Sequence, residues 1–236
     1  MKKCIGNRGK GMQIGILTYD VKHRKTYDTL CLLKAKGYDN VNVYAQPLQY
    51  KKQFQPLLKH RPAVGFDIPE IEEICQNFSY SLSYGRIERL EIPEETVLLI
   101  CGAGIIPQDI VKRYTIINAH PGYIPYVRGL DAFKWAIWEG KPIGVTTHLI
   151  GDMIDCGQVI DRQVIHMNQN TTFFEAAQSV YEKEVSMLVE SIGKLDEEHI
   201  FVEPHNCELH KRMPHEMESQ LLARFEEYKA ELLKGS

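Results

Sequence analysis

The chain has 236 residues, 44% hydrophobic and 25% charged, with a formal net charge of −3. That length can bury a full core, and the composition is that of an ordinary globular protein. The charge argues against a broad nucleic-acid-binding face, which is usually basic, and no run of about 18 apolar residues marks a membrane span.

Residues 1–11 include basic side chains but no apolar stretch of a secretory signal, so they read as a tail. Cys4, Cys31, Cys75, Cys101, Cys156 and Cys207 are scattered, with no C-x-x-C pair. A disulfide framework is not expected, and a reducing, cytoplasmic setting is.

Ile14-Gly-Ile-Leu-Thr18 reads as a short buried strand. Lys22 to Lys36 reads as a helix, with Tyr27, Leu30 and Leu33 on one face and Gly37 as its stop. Val41 to Ala45 is the next strand, and this order predicts a parallel sheet with a right-handed crossover. Residues 47–68 are broken by Pro47, Pro56 and Pro62. Pro69 to Phe78 predicts a short helix with Ile71 and Ile74 on its face. Val97 to Cys101 is an unbroken apolar run, the pattern of a strand covered on both sides, and Gly102-Ala-Gly104 ends it.

A helical turn at Gln108 to Lys112 and a short strand at Thr115 to Asn118 follow. Leu130 to Glu139 reads as a helix ended by Gly140, and Val145 to Ile150 and Gln158 to His166 as strands. Thr172-Phe-Phe-Glu175 is a capping box. It opens a helix with Phe173, Ala177, Val180, Leu188 and Ile192 inward and Gly193 as its stop. Residues 196–236 read as an appendage. Its helix, about 215–233, carries Met217, Leu221, Phe225, Tyr228 and Leu232 at helical spacing, to pack on the core or on a second subunit in a homodimer. The expected fold is therefore α/β: a Rossmann-like, open, twisted, mostly parallel sheet flanked by helices. The expected division is a tail at 1–11, a catalytic domain at 12–195 and a helical appendage at 196–236.

Ligands in open α/β sheets bind beyond the carboxyl ends of the strands, and Asn118 and His120 are expected just past such an end. An Asn amide there can donate to a developing oxyanion, and a His two residues on can shuttle a proton near neutral pH. Pro121-Gly-Tyr-Ile-Pro125 then holds the backbone in a turn that aims His120. Asp155, before Cys156-Gly157, can orient the imidazole or relay protons. His148, on the preceding strand, can meet Asp155 or steady its loop. Each residue taken singly also has a structural reading, as a turn asparagine, a strand histidine or an Asx-turn aspartate.

Together, Asn118-Ala-His120-Pro-Gly-Tyr-Ile-Pro125, Gly129, Gly144-Val-Thr-Thr-His148 and Asp155-Cys-Gly157-Gln-Val-Ile160 resemble the core of the formyltransferases that use N10-formyltetrahydrofolate. The dense match covers about residues 97–165. The resemblance implies that Asn118, His120 and Asp155 are catalytic, that Gly104, Ile105 and Ile106 with Asp152 and Ile154 hold the folate donor, and that no metal is needed. It also implies contacts from His148, Arg128 and Gly129 to a small amine substrate, while the charge and the lack of a long apolar run make no role for nucleic acid or membrane expected. An amine would attack the formyl carbon, Asn118 and protonated His120 would stabilise the oxyanion, and His120 with Asp155 would move the proton.

Family members differ in their acceptor. The glycinamide ribonucleotide enzyme carries a glycine-rich phosphate loop after its first strand, where this chain has Leu17-Thr-Tyr-Asp-Val-Lys-His-Arg24 without a glycine. The initiator methionyl-tRNA enzyme has a C-terminal β-barrel and a basic face, and the formyltetrahydrofolate hydrolase has an N-terminal regulatory domain. The sugar N-formyltransferases share the Tyr126-Val-Arg128-Gly129 style of loop, so a nucleotide-linked amino sugar is the favoured acceptor, with glycinamide ribonucleotide formylation or formyl-folate hydrolysis as alternatives. Tyr123, Tyr126, Trp135 and Trp138 offer stacking surfaces or fill core positions. His205-x-Cys207-x-x-His210 lacks a second Cys pair and fits no strong zinc spacing. Lys211-Arg-Met-Pro214 reads as a solvated basic turn or a phosphate contact.

Overall fold

The computed structural model describes residues 11–48, 55–62, 68–151, 155, 157–203 and 208–234. Two compact units divide the chain. The first comprises 1–51, 63–118 and 188–197, and the second 52–62, 119–187 and 198–236.

In the first unit, β1 (Ile14–Tyr19), β2 (Val41–Gln46), β3 (Ser81–Tyr84), β4 (Val97–Ile100) and β5 (Thr115–His120) lie in the order β3-β2-β1-β4-β5, all parallel. The chain leaves β1 toward one edge and returns to β4 on its other side, which makes the carboxyl ends of β1 and β4 a topological switch point. The apolar runs of β1 and β4 are buried because helices and neighbouring strands cover them. Gly15 leaves room for side chains of the neighbouring strands: a Cβ there would lie 2.4 Å from Leu98 Cδ2 and 2.8 Å from Tyr44 Cε2.

The first helix, α1 (Arg24–Ala35), starts two residues later than expected, because His23 keeps an extended backbone at φ −138°. It stops as expected at Gly37, whose φ of 80° suits glycine. α2 (Ile71–Phe78) and α3 (Gln108–Arg113) follow the expected stretches. β3 was not expected. Its Ser-Leu-Ser-Tyr sequence is largely exposed and, among the described residues, pairs with β2 alone, as an edge strand can.

The second unit takes up β5 at Ala119 and continues with β6 (Arg128–Gly129), α4 (Ala132–Glu139), β7 (Gly144–Leu149), β8 (Gly157–Val164), α5 (Phe173–Glu190), β9 (Ile200–Val202), β10 (Leu209–His210), α6 (His215–Glu218) and α7 (Leu221–Lys234). The strand order from β5 is β5-β7-β8-β9, with β7-β8 and β8-β9 antiparallel, while β6 and β10 form a separate parallel pair. The expected α/β class, an open and mostly parallel sheet flanked by helices, is what the chain adopts.

The capping box opens α5 as read: Thr172 N–H donates to Glu175 Oε2 (2.8 Å) and Glu175 N–H to Thr172 Oγ1 (3.2 Å). Gly193 sits inside a 3₁₀ turn, Ser191–Lys194, instead of ending the helix. The C-terminal segment packs on this unit's own core. Met213, Leu221, Phe225 and Tyr228 are buried with Phe133, Ile137, Val145, Phe173 and Val180. Burying a side chain such as Phe225 contributes about 1.5–3 kcal/mol. The expected single helix is two, α6 and α7, and Leu232 lies outside the buried stripe.

Candidate active site

The strand β5 runs on through His120, so Asn118 and His120 lie within it rather than past its end. Being two residues apart, they share one face of the strand. Asn118 is partly buried and His120 is 3% exposed.

The loop after β5 fixes the imidazole from two sides. A Cβ on Gly122 would lie 2.6 Å from His120 Nε2 and 2.9 Å from Ala132 Cβ. The Thr146 hydroxyl accepts from Ile124 N–H (3.0 Å) and donates to Gly122 O (2.9 Å). Arg162 donates to Ile124 O (2.9 Å), and its guanidinium lies 5.1 Å from the Tyr123 ring centre. Val127 O lies 3.1 Å from His120 Nε2. A carbonyl only accepts, so Nε2 carries the proton and Nδ1 is left as the basic nitrogen.

His120 Nδ1 faces Asp155 Oδ2 at 3.5 Å, and His148 Nε2 faces Asp155 Oδ1 at 3.6 Å. Gly129 N–H donates to Asp155 Oδ2 (2.9 Å). His148 is fully buried, at a register shift between Thr147 and His148 in the β7–β8 ladder. Such irregularities re-aim a side chain. Asp155 takes the left-handed conformation, φ 48°, which Asp tolerates better than most residues.

Burial opposes ionisation of Asp155, but the neighbouring His120 and His148 rings and the Gly129 amide outweigh it. They hold the carboxyl well below its usual range. Burial lowers the His120 imidazole, against the pull of Asp155 and the Val127 carbonyl. The arrangement is thus a carboxylate beside a neutral imidazole. It can take a proton at Nδ1 and hold it between the two groups.

The structure brings His120, Asp155, His148 and Gly129 together within the second unit. Arg128 is 6% exposed, and its strand β6 pairs with β10. Asp152 and Ile154 lie outside the described residues, as do His205 and Cys207 of the weighed metal pattern. Among the described residues no group of three His, Cys, Asp or Glu is placed to hold a metal ion. Trp135 and Trp138 pack against the second unit's core, and Tyr123 and Tyr126 stack on each other at 6.0 Å. Arg212, in the segment read as a solvated turn, pairs with Asp131 (3.2 Å). The sequence reading missed the bracing roles of Thr146 and Arg162, whose only signal is their place in strands flanking the loop.

Within the first unit, Gly104, Ile105 and Ile106 follow the end of β4. Ile105 is 100% exposed, and open space surrounds the Gly104 backbone. A cavity of about 380 Å³ opens at the carboxyl ends of β1, β2 and β4, lined by Tyr19, Gln46, Leu48, Arg86, Ile87 and Ile105 among others. No helix among the described residues is long and apolar enough to cross a membrane.

A family model described as Formyl transferase matches residues 88–192. A methionyl-tRNA formyltransferase of Caldanaerobacter subterraneus subsp. tengcongensis is 26% identical over 174 residues, 69% of this chain and 53% of that protein. A phosphoribosylglycinamide formyltransferase of Bacillus subtilis is 27% identical over 129 residues, 53% of this chain and 64% of that protein. The chain thus spans about half the length of the first of these relatives. Among solved structures, an N-formyltransferase from Helicobacter canadensis in complex with folinic acid and dTDP-3-aminofucose superposes with a TM-score of 0.62 at 16% identity. That likeness covers 91% of this chain and 80% of the other, and it is a likeness of fold.

Proposed function

We propose that this chain is a formyl transferase, which the family model over residues 88–192 supports, and that it transfers the formyl group of N10-formyltetrahydrofolate to a primary amine of a small acceptor. The observation that carries the reading is the His120–Asp155 contact at 3.5 Å, with Asn118 on the same strand face. Formyl transfer needs a donor for the oxygen that gains charge and a base for the amine proton, and these residues supply both.

The exposed Gly104–Ile106 turn at the end of β4 fits a flat heteroaromatic ligand, because its backbone groups are open to approach. We assign the folate donor there; when bound it supplies an activated formyl group. The Asn118 amide then donates to the carbonyl oxygen as charge develops on it. His120 Nδ1 takes a proton released by the attacking amine, Asp155 stabilises the imidazolium, and the same proton returns to the departing nitrogen. His148 and the Gly129 amide keep Asp155 turned toward His120.

For the acceptor we favour an amino sugar carried on a nucleotide. Apart from its Gly104–Ile105 wall, assigned to the donor, the cavity at the ends of β1, β2 and β4 supports this reading, since Tyr19 offers a ring face, Gln46 an amide and Arg86 a cation for phosphate. The loop after β1, Asp20 to His23, has no glycine for close backbone approach to a phosphate. The test is folate release from N10-formyltetrahydrofolate with a panel of nucleotide-linked amino sugars, glycinamide ribonucleotide and no acceptor. Release dependent on an amino-sugar nucleotide is the expected result. Release only with glycinamide ribonucleotide would replace the acceptor, and release indifferent to every amine would make the protein a hydrolase.

A further inference from the structure

The C-terminal segment has a role that the proposed chemistry leaves unassigned. Its strand β10 lies beside β6, with Leu209 opposite Arg128 and His210 opposite Gly129. Leu130 N–H donates to His210 O (2.9 Å). A Cβ on Gly129 would lie 2.3 Å from His210 O and 2.9 Å from His210 N, so the two backbones touch. Gly129, at φ 89°, has His210 as its nearest neighbour on the Cβ side and donates its N–H to Asp155. Moving His210 therefore moves the peptide that holds the carboxylate.

A two-residue ladder is weak by itself. Here residues 210–213 are fastened at successive points to α4 and its lead-in. The His210 ring stacks on Trp135 at 4.5 Å and 12°, and its Nε2 lies 3.2 Å from Glu139 Oε1. Trp135 Nε1–H donates to Lys211 O (2.8 Å). Asp131 accepts from the Arg212 guanidinium (3.2 Å) and from Met213 N–H (3.1 Å), and Met213 is fully buried.

We propose that His210, clamped by Trp135 and Glu139, is a positioning residue for the Asp155 carboxylate, acting through the backbone of Gly129. The inference rests on Asp155 being the catalytic carboxylate of the proposed reaction. A loosened β10 frees the Gly129 amide, Asp155 loses its fixed donor, and Oδ2 turns away from His120. The effect falls on the proton-moving step and leaves ligand binding alone.

The decisive experiment reads His120 itself, without substrate. The groups acting on its charge are Asp155, His148 and Glu184. Ring-nitrogen NMR titrations of the full chain, assigned with a His120→Asn variant, compare wild type with His210→Ala. Loss of the facing carboxylate lowers the His120 midpoint in His210→Ala by about half a unit or more. Leu209→Ala, which trims an exposed side chain on the same strand, holds the midpoint near the wild-type value. In the formyl-transfer assay, His210→Ala lowers kcat roughly tenfold, with the KM of donor and acceptor unchanged. Should His210→Ala fail to fold, Glu139→Gln removes the charged end of the clamp at nearly constant shape and is expected to lower the midpoint in the same direction. A folded His210→Ala or Glu139→Gln variant whose His120 titrates as in wild type overturns the proposal. Absence of formyl transfer in wild type as well overturns the functional reading instead, and the titration still decides the positioning role.

Discussion

Gly122 sits so close to His120 that a Cβ on the glycine would be 2.6 Å from the imidazole Nε2. The ring cannot retreat from that atom without giving up its hydrogen bond to Val127 O (3.1 Å), and the added Cβ cannot shift freely because Ala132 Cβ would lie 2.9 Å from it. Gly122→Ala is therefore expected to rotate the His120 ring. The expected cost is about 1–3 kcal/mol of stability, from overpacking. Activity should fall far more than stability, because the base is displaced from Asp155. Thermal unfolding and kcat/KM on the same preparation check this, and a fully active Gly122→Ala protein would show that the ring has room to spare.

His120→Ala and Asp155→Asn are expected to abolish formyl transfer while leaving a folded protein. Each removes one end of the proton path, and His120→Ala leaves a small cavity. Circular dichroism checks the fold and single-turnover formyl transfer checks the activity. Near wild-type turnover in either purified variant would remove these residues from the roles given to them.

The pH dependence follows from the direction of the His120 shift. Burial disfavours the imidazolium, so the base stays neutral below the usual histidine range. The acid limb of kcat/KM should lie below about pH 6.5. A limb at or above that value would mean that the carboxylate contact outweighs burial.

Much of this was readable in the sequence, for physical reasons that differ by element. The apolar runs of β1, β4 and β5 are legible because strands covered on both faces leave no alternation to confuse. β3 was illegible because an exposed edge strand needs no apolar pattern. Asn118 and His120 stood out as a motif, but their place within β5 did not, since the following Pro-Gly suggested an earlier end. Asp155 was tied to His120 by motif resemblance. The geometry adds the Gly129 amide and the buried His148 ring. The β6–β10 pair had no signal, because two-residue strands far apart in sequence have no period to read. The helical spacing of Leu221, Phe225 and Tyr228 did mark a buried face, and what it faces is α4 and α5 of the same chain.

His60 gives a second pH effect, on stability. Its partly buried ring stacks on Phe133 at 5.8 Å. Burial, helped by the positive charges of Lys134, Arg61 and Arg212, lowers its pKa to about 3. The unfolded chain binds a proton here near pH 6.5 and the folded one does not. Stability from this group is therefore full at pH 7 and is lost progressively as pH falls from about 6.5 toward 3. His60→Phe keeps the stack and removes the proton. Its Tm should fall less than that of wild type between pH 7 and pH 5, and parallel curves would contradict the assignment.

The last prediction concerns Lys134 and Glu218, which form an ion pair with both side chains fully buried. Lys134 lies on α4, between the Trp135 that clamps His210 and the Phe133 of the core, so the pair ties the C-terminal segment to the helix beside the site. Glu218 Oε2 also accepts from Leu57 N–H (2.8 Å), so its two oxygens have two donors. Lys134→Met leaves a buried carboxylate without its cation and should cost about 3–5 kcal/mol. Adding Glu218→Gln removes the charge while keeping an acceptor for Leu57 N–H, so the double variant should recover much of that loss. Urea unfolding of the two single variants and the double variant gives the coupling directly. Losses that simply add would mean that the pair contributes through packing alone.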